Sequence, residues 1–135
     1  MAAQERTYPS PIPTVDTQVF WDAAKEGRFL VKFCRDCGKA HWYPRAICPL
    51  CFSAQTEWRT GSGKGTVYSY SVMRRADPPF VIAFVTLQEG PTLLTNLINC
   101  DPDALAIGQA VEQVFRPSTG DYPVPLFQPA GTAGG

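Results

Sequence analysis

Cys34, Cys37, Cys48 and Cys51 form two C-x-x-C pairs, Cys34-Arg35-Asp36-Cys37 and Cys48-Pro49-Leu50-Cys51. Each pair can close a tight knuckle that aims two thiolates at one ion, so the pattern is that of a metal site. Gly38 follows the first pair, where such a knuckle needs a residue tolerant of positive φ. Four sulfur ligands favour tetrahedral Zn2+, with iron as the rival. Two disulfides or four free thiols are the alternatives. The opening stretch MAAQERTYPSPIP lacks the apolar core of a secretory signal, which weighs against disulfides. A four-thiolate site has no open coordination position, so it is expected to be structural rather than catalytic.

Other groups able to do chemistry are few. His41 is the single histidine, and with four cysteines already completing a site it reads as a surface or packing residue. Cys100, the fifth cysteine, reads as a buried thiol. A catalytic thiolate needs a base or cationic surroundings, and the histidine falls in the cysteine-bearing segment instead. Gly61-Ser62-Gly63-Lys64-Gly65 looks like a phosphate loop but lacks the G-x-x-x-x-G-K-[ST] spacing. It reads as a glycine hinge entering a curved strand. Arg74-Arg75 reads as a solvated turn rather than a phosphate clamp. No convincing acid–base set emerges.

The elements that must position the cysteines follow from local pattern. Residues 15–26 read as a short helix, with Asp16 or Thr17 able to cap it and Gly27 able to end it. Val19, Phe20, Ala23 and Ala24 share one stripe at helical spacing, and Trp21 leans off it. Phe29–Phe33 is a strand leading into the first knuckle. His41-Trp42-Tyr43 lies on a return strand, and Pro44-Arg45 leads to the second knuckle. Residues 57–65 form a turn-rich junction. Beyond it, 66–74 alternates, so Tyr68 and Tyr70 fall on one face. Phe80–Leu87 is nearly all apolar, as in a strand buried on both faces or at an interface. Strands over 92–98, 110–115 and 123–127 complete the set, with a helical turn between 101 and 108. Five short strands with a helical turn between the third and fourth match an OB-fold barrel, against a generic five-stranded Greek-key sheet. The expected organisation is mainly β. A flexible arm spans 1–16, a helix and rubredoxin-like four-cysteine zinc ribbon span 17–60, a five-stranded OB-fold barrel spans 61–127, and a disordered tail spans 128–135.

Composition excludes several classes. Lys plus Arg and Asp plus Glu each number 12, so the formal net charge is zero. A nucleic-acid binder carries a basic face, so a single-strand-binding OB module is disfavoured. No apolar run approaches the roughly 18 residues of a membrane span. Thirteen prolines and eleven glycines favour short strands and turns over long helices. A cytoplasmic protein without membrane association is expected.

Specific residues carry a resemblance to one family. They are Phe20-Trp21 with Gly27, Cys34-x-x-Cys37-Gly38, Pro44-Arg45 and Cys48-Pro49-x-Cys51, then Trp58, Gly63-x-Gly65 and Tyr68-Ser69-Tyr70. Ala83-x-Val85-x-Leu87 with Glu89-Gly90, and Gly108-x-x-Val111, extend it. In these the chain resembles the acyl-CoA-associated zinc-ribbon/OB-fold family, domain of unknown function 35, over about residues 17–117. Phe52 departs from the pattern, since a second knuckle often has glycine there. The resemblance implies a structural Zn2+ on Cys34, Cys37, Cys48 and Cys51. It also implies an accessory role beside a thiolase-like acyl-CoA enzyme: an acyltransferase, or a lipid-transfer-protein-type aldolase of steroid side-chain degradation. A hot-dog-fold enoyl-CoA hydratase is the alternative partner. An acyl-CoA site shared with the partner is implied too. Phe20, Trp21, Trp42, Pro44, Arg45, Tyr68 and Tyr70 are the candidate partner-interface residues.

Overall fold

The computed structural model describes residues 7–131. One helix, α1 (Gln18–Lys25), precedes eight strands. It is two turns long and buries Phe20, Ala23 and Ala24. Val19, expected on the same stripe, is 48% exposed, because the buried face of so short a helix is only three residues wide. Thr17 sits at the N-cap, but its hydroxyl bonds backward to the Thr14 N–H at 2.9 Å. Gly27 ends the helix at φ +82°, the left-handed conformation in which glycine lacks a Cβ penalty.

The ribbon sheet has the order β2 (Ala40–His41), β1 (Leu30–Cys34), β3 (Thr56–Thr60), all antiparallel. β3 corrects the expectation that 57–65 is a turn-rich junction. Its first half is a strand in full register with β1, Lys32 opposite Trp58 and Cys34 opposite Thr56. Trp58 gives it a reason to pair: the Lys32 ammonium lies 4.2 Å from the indole centroid.

The barrel comprises β4 (Lys64–Met73), β5 (Phe80–Leu87), β6 (Thr92–Leu97), β7 (Ala110–Arg116) and β8 (Val124–Pro129), closed in the order β4-β5-β6-β8-β7. A 3-10 turn, Pro102–Ala104, lies between β6 and β7, capped by Asp101 through the Asp103 N–H. Gly65 lies where β4 pairs with both β5 and β7, opposite Leu87 and Val111. A Cβ there would come within 2.7 Å of Val85 Cγ1, so only glycine admits the approach. A β-bulge between Val67 and Ser69 shifts the strand phase. It places Tyr68 outward at 64% exposure, while Tyr70 packs on the core. Strict alternation had put both on one face.

β5 is buried on one face only. Val81, Ala83, Val85 and Leu87 point inward, and Phe84 is exposed. The run is continuous in hydropathy because its outer residues lie in an uncharged stripe with Leu94 opposite Phe84. β8 runs through Pro129, past the expected tail boundary at 128, and Gln128 is fully buried. Its amide accepts from Asn99 at 2.7 Å and donates to Glu112 at 2.8 Å. Those bonds hold β8 between β6 and β7. The described part of the N-terminal arm touches the barrel. Tyr8 is buried and its carbonyl accepts from the Thr119 N–H at 2.9 Å. Residues 1–6 and 132–135 lie outside the described residues.

Candidate metal centre

The two knuckles hang from the ends of the ribbon sheet. β1 delivers Cys34 as its last residue, and β2 starts soon after Cys37. In the first knuckle the Gly38 N–H donates to the Cys34 carbonyl at 2.9 Å, with Gly38 at φ +73°. In the second the Phe52 N–H donates to the Cys48 carbonyl at 2.8 Å, with Phe52 at φ +65°. The knuckles are thus two copies of one turn. The Leu50 N–H further donates to Cys48 Sγ at 3.4 Å. Ser53 ties the knuckles together, its hydroxyl donating to the Asp36 carboxylate.

This pairing brings all four Sγ atoms within 4.8 Å of one another. Cys34 and Cys51 sulfurs lie 3.6 Å apart, Cys37 and Cys48 sulfurs 3.8 Å. A tetrahedron with metal–sulfur bonds of about 2.3 Å has edges of about 3.8 Å, so the set fits a tetrathiolate ion. Those separations are far beyond a disulfide bond of about 2.05 Å. Cys34 and Cys48 are buried and Cys51 is exposed, and four thiolates would fill a tetrahedral ion's coordination, which leaves no open position for a substrate.

The thiols do not ionise alike. The Cys37 backbone N–H and that of Asp36 pull Cys34 down to about 7, against burial. Cys37 is pushed up, first by burial. The Ser53 N–H acts to lower Cys51, but burial and the sulfurs of Cys34, Cys37 and Cys48 outweigh it and raise the thiol to about 12. Four crowded sulfurs cannot all carry charge unless a cation sits among them, which is the electrostatic condition a divalent metal meets.

His41 is buried behind this centre, 3% exposed, and outside the sulfur cluster. Its Nε2 accepts from the Arg45 N–H at 3.3 Å, so the imidazole fixes the Pro44-Arg45 turn rather than a metal. Burial holds its pKa below the ordinary value. Cys100 lies beyond the end of β6, its thiol raised by burial and by Asp101.

The remaining sequence candidates divide by position. Phe20, at 2% exposure, and Pro44 are core residues and offer no surface. Phe20 lies edge-on to Trp21 at 4.9 Å and to Trp42 at 5.4 Å, so it shapes those two half-buried rings. Arg45 and Tyr68 are exposed. Tyr70 is tied down, its hydroxyl donating to the Leu105 carbonyl at 3.0 Å. Sequence reasoning missed Tyr122, which receives the Gln18 side-chain amide at 3.1 Å and faces Trp21 at 6.4 Å. Nothing local to Asp121-Tyr122-Pro123 signals a contact with a helix a hundred residues earlier.

The family model of the ChsH2 rubredoxin-like zinc ribbon domain matches residues 21–57, and that of the ChsH2 C-terminal OB-fold domain matches residues 58–116. A Methanocaldococcus jannaschii protein named a DUF35 domain-containing scaffold protein is 38% identical over 105 residues, 71% of this chain and 74% of that protein. The chain belongs to the DUF35 family. A solved structure titled Ltp2-ChsH2(DUF35) aldolase contains a chain that aligns with a TM-score of 0.78 at 32% identity, covering 90% of this chain and 99% of that one. A Thermomonospora curvata protein named "Probable enoyl-CoA hydratase alpha subunit" is 32% identical over 127 residues. This chain spans 90% of itself in that match but 40% of the relative's length. Family and geometry agree on a zinc ribbon followed by an OB-fold. Among the described residues no helix is long and apolar enough to cross a membrane.

Proposed function

We propose that this chain is a non-catalytic accessory subunit of a thiolase-like acyl-CoA enzyme, an aldolase or acyltransferase whose acyl-CoA site it completes or stabilises. The observation that carries this reading is the full-length likeness to a DUF35 chain solved in an Ltp2-ChsH2 aldolase. The chain's own chemistry agrees with it. Cys34, Cys37, Cys48 and Cys51 would hold a structural Zn2+, which supplies cross-linking of the two knuckles and no open coordination site. His41 is occupied inside the ribbon by the Arg45 N–H, and the Cys100 thiol is raised away from nucleophilic use. The proposed work is therefore mechanical: the half-buried rings of Trp21 and Trp42 and the exposed Tyr68 meet the partner.

Co-expression tests the proposal. A lipid-transfer-protein-type aldolase subunit from the same organism should co-purify with this chain and cleave its acyl-CoA substrate only in the complex. Full activity of the enzyme subunit alone, with no complex on size exclusion, sinks the proposal. A second reading rests on the hydratase alpha-subunit name of the Thermomonospora relative. Under it, a hot-dog-fold enoyl-CoA hydratase co-purifies instead, and hydration rather than retro-aldol cleavage is the activity gained.

A further inference from the structure

The two knuckles share one backbone and differ in surface. The first carries Arg35, Asp36 and Lys39, all exposed and charged. The second, from Ala46 to Ala54, has no charged residue and exposes Ile47, Leu50 and Phe52. Phe52 occupies the position that Gly38 holds in the first knuckle. Both donate their N–H to the first cysteine's carbonyl, and both adopt positive φ. Glycine takes that conformation freely, whereas a side chain there costs about 1 kcal/mol or more. The Phe52 ring is also 80% exposed, so burial within the chain does not offset the strain. Folding alone favours glycine at this position. The ring's benefit must lie outside the chain.

Charge says what kind of surface it meets. Lys39 and Arg45 lie in the segment that joins the two knuckles, are exposed, and pair with no carboxylate among the described residues. The other ribbon charges are already engaged: Arg35 with Glu57 at 3.5 Å, Arg59 with Glu57, and Asp36 with Ser53. The second knuckle is thus an uncharged apolar tip, entered through an exposed arginine that forms no ion pair among the described residues. We propose that the second knuckle is the docking knob for the catalytic subunit, with Phe52 entering an apolar pocket, Leu50 and Ile47 covering its lip, and Arg45, at the entrance to the knuckle, meeting a carboxylate of the partner. The inference rests on the accessory-subunit reading and adds the second knuckle to the contact made by Trp21, Trp42 and Tyr68.

Phe52→Gly separates binding from folding, because it removes the strained side chain while keeping the knuckle bond. Its melting temperature should equal or exceed that of the native protein, since relief of strain opposes the added freedom of the unfolded chain. Its zinc content should be unchanged. Its Kd for the lipid-transfer-protein-type aldolase subunit, measured by calorimetry, should rise at least tenfold. Leu50→Asp should weaken the complex similarly with native stability. Arg45→Glu should weaken it and remove most of its salt dependence, which Arg45→Lys should restore. Native affinity in Phe52→Gly and Leu50→Asp overturns the inference and leaves the accessory reading standing. Absence of any complex with the native chain overturns the accessory reading itself. A native chain that self-associates through Phe52, becoming monomeric in Phe52→Gly, also overturns the inference by assigning the knob to a second copy.

Discussion

At the scale of single residues, the cysteines and the histidine make opposite demands on protons. Metal binding requires thiolates, so acid displaces the ion, whereas His41 is held neutral by burial. Cys48 has no accessible surface and receives the Leu50 N–H, so Cys48→Ser removes a ligand that water cannot replace. Metal content should fall from about one ion per chain to near zero, and thermal stability should fall with it. Metal analysis and a thermal melt check this; native stability with no bound metal would sink the structural role. The His41 effect has a definite sign. Its folded pKa is lowered, so the folded state binds fewer protons than the unfolded state below about pH 6.5. The contribution is present above that pH and is lost as pH falls toward the folded value. Nε2 already accepts from Arg45, and Nδ1 is buried without a partner among the described residues, so protonation gains no new bond. His41→Gln should therefore show a smaller loss of denaturation midpoint between pH 7.5 and 5.5 than the native chain, in excess zinc. Equal losses would show that His41 does not titrate. The metal residues were legible because C-x-x-C spacing is a local geometric signal. The role of His41 was not, because the Arg45 N–H it receives depends on the fold of the turn that follows.

Elements obey the same division between local and non-local causes. β5 and β6 could be placed from hydropathy alone, since their apolar runs end at Pro79 and Gly90-Pro91. The outward face of β5 could not, because an apolar residue reads the same whether it faces the core or an exposed uncharged stripe. β3 escaped detection for a different reason. Thr56, Trp58 and Thr60 favour a strand and alternate with Glu57 and Arg59, but the run is short and abuts Gly61-Ser62-Gly63, so its turn-forming neighbours mask it until β1 pairs with it. The bulge at Tyr68 was equally silent, and it decides which tyrosine is structural. Tyr70→Phe should cost about 1 kcal/mol by leaving the Leu105 carbonyl without its donor, whereas Tyr68→Ser should change stability little. Urea denaturation of both variants checks the contrast; equal losses would mean the bulge is not maintained in solution. Gly65 was legible as a hinge but not as a packing constraint. With Val85 Cγ1 at 2.7 Å and the Thr86 carbonyl oxygen at 2.8 Å from an added Cβ, Gly65→Ala should destabilise the barrel by about 1–3 kcal/mol.

For the whole molecule the question is whether ribbon and barrel are one unit or two. Sequence reading separates them at the glycine hinge, and the family models meet at residue 58. The packing joins them. Phe20, Phe29, Leu30 and Val31 from the helix and ribbon share one continuous buried cluster with Val67, Val85, Val111 and Phe127 of the barrel. Phe29 is the bridge: it stacks on Trp42 at 5.9 Å, meets Phe127 edge-on at 6.3 Å, and its carbonyl accepts from the Gly61 N–H at 2.7 Å. Side chains packed across the boundary make the stability of one half depend on the other. Metal removal should therefore lower the melting temperature of the entire chain in a single transition, rather than melt the ribbon and leave the barrel intact. Tryptophan fluorescence reports the ribbon through Trp42 and Trp58, and far-ultraviolet circular dichroism reports mainly the barrel strands. After chelation the two probes should move together to a lower temperature. Phe29→Ala should uncouple them, because it removes the ring that both halves share, at a cost of about 3–5 kcal/mol. Two separate transitions in the native metal-bound chain would mean the hinge, not the shared core, governs how the halves behave. The coupled outcome suits an accessory subunit, since a rigid core would hold the knuckles, Trp21 and Tyr68 in fixed relation and let one partner engage them without an ordering cost.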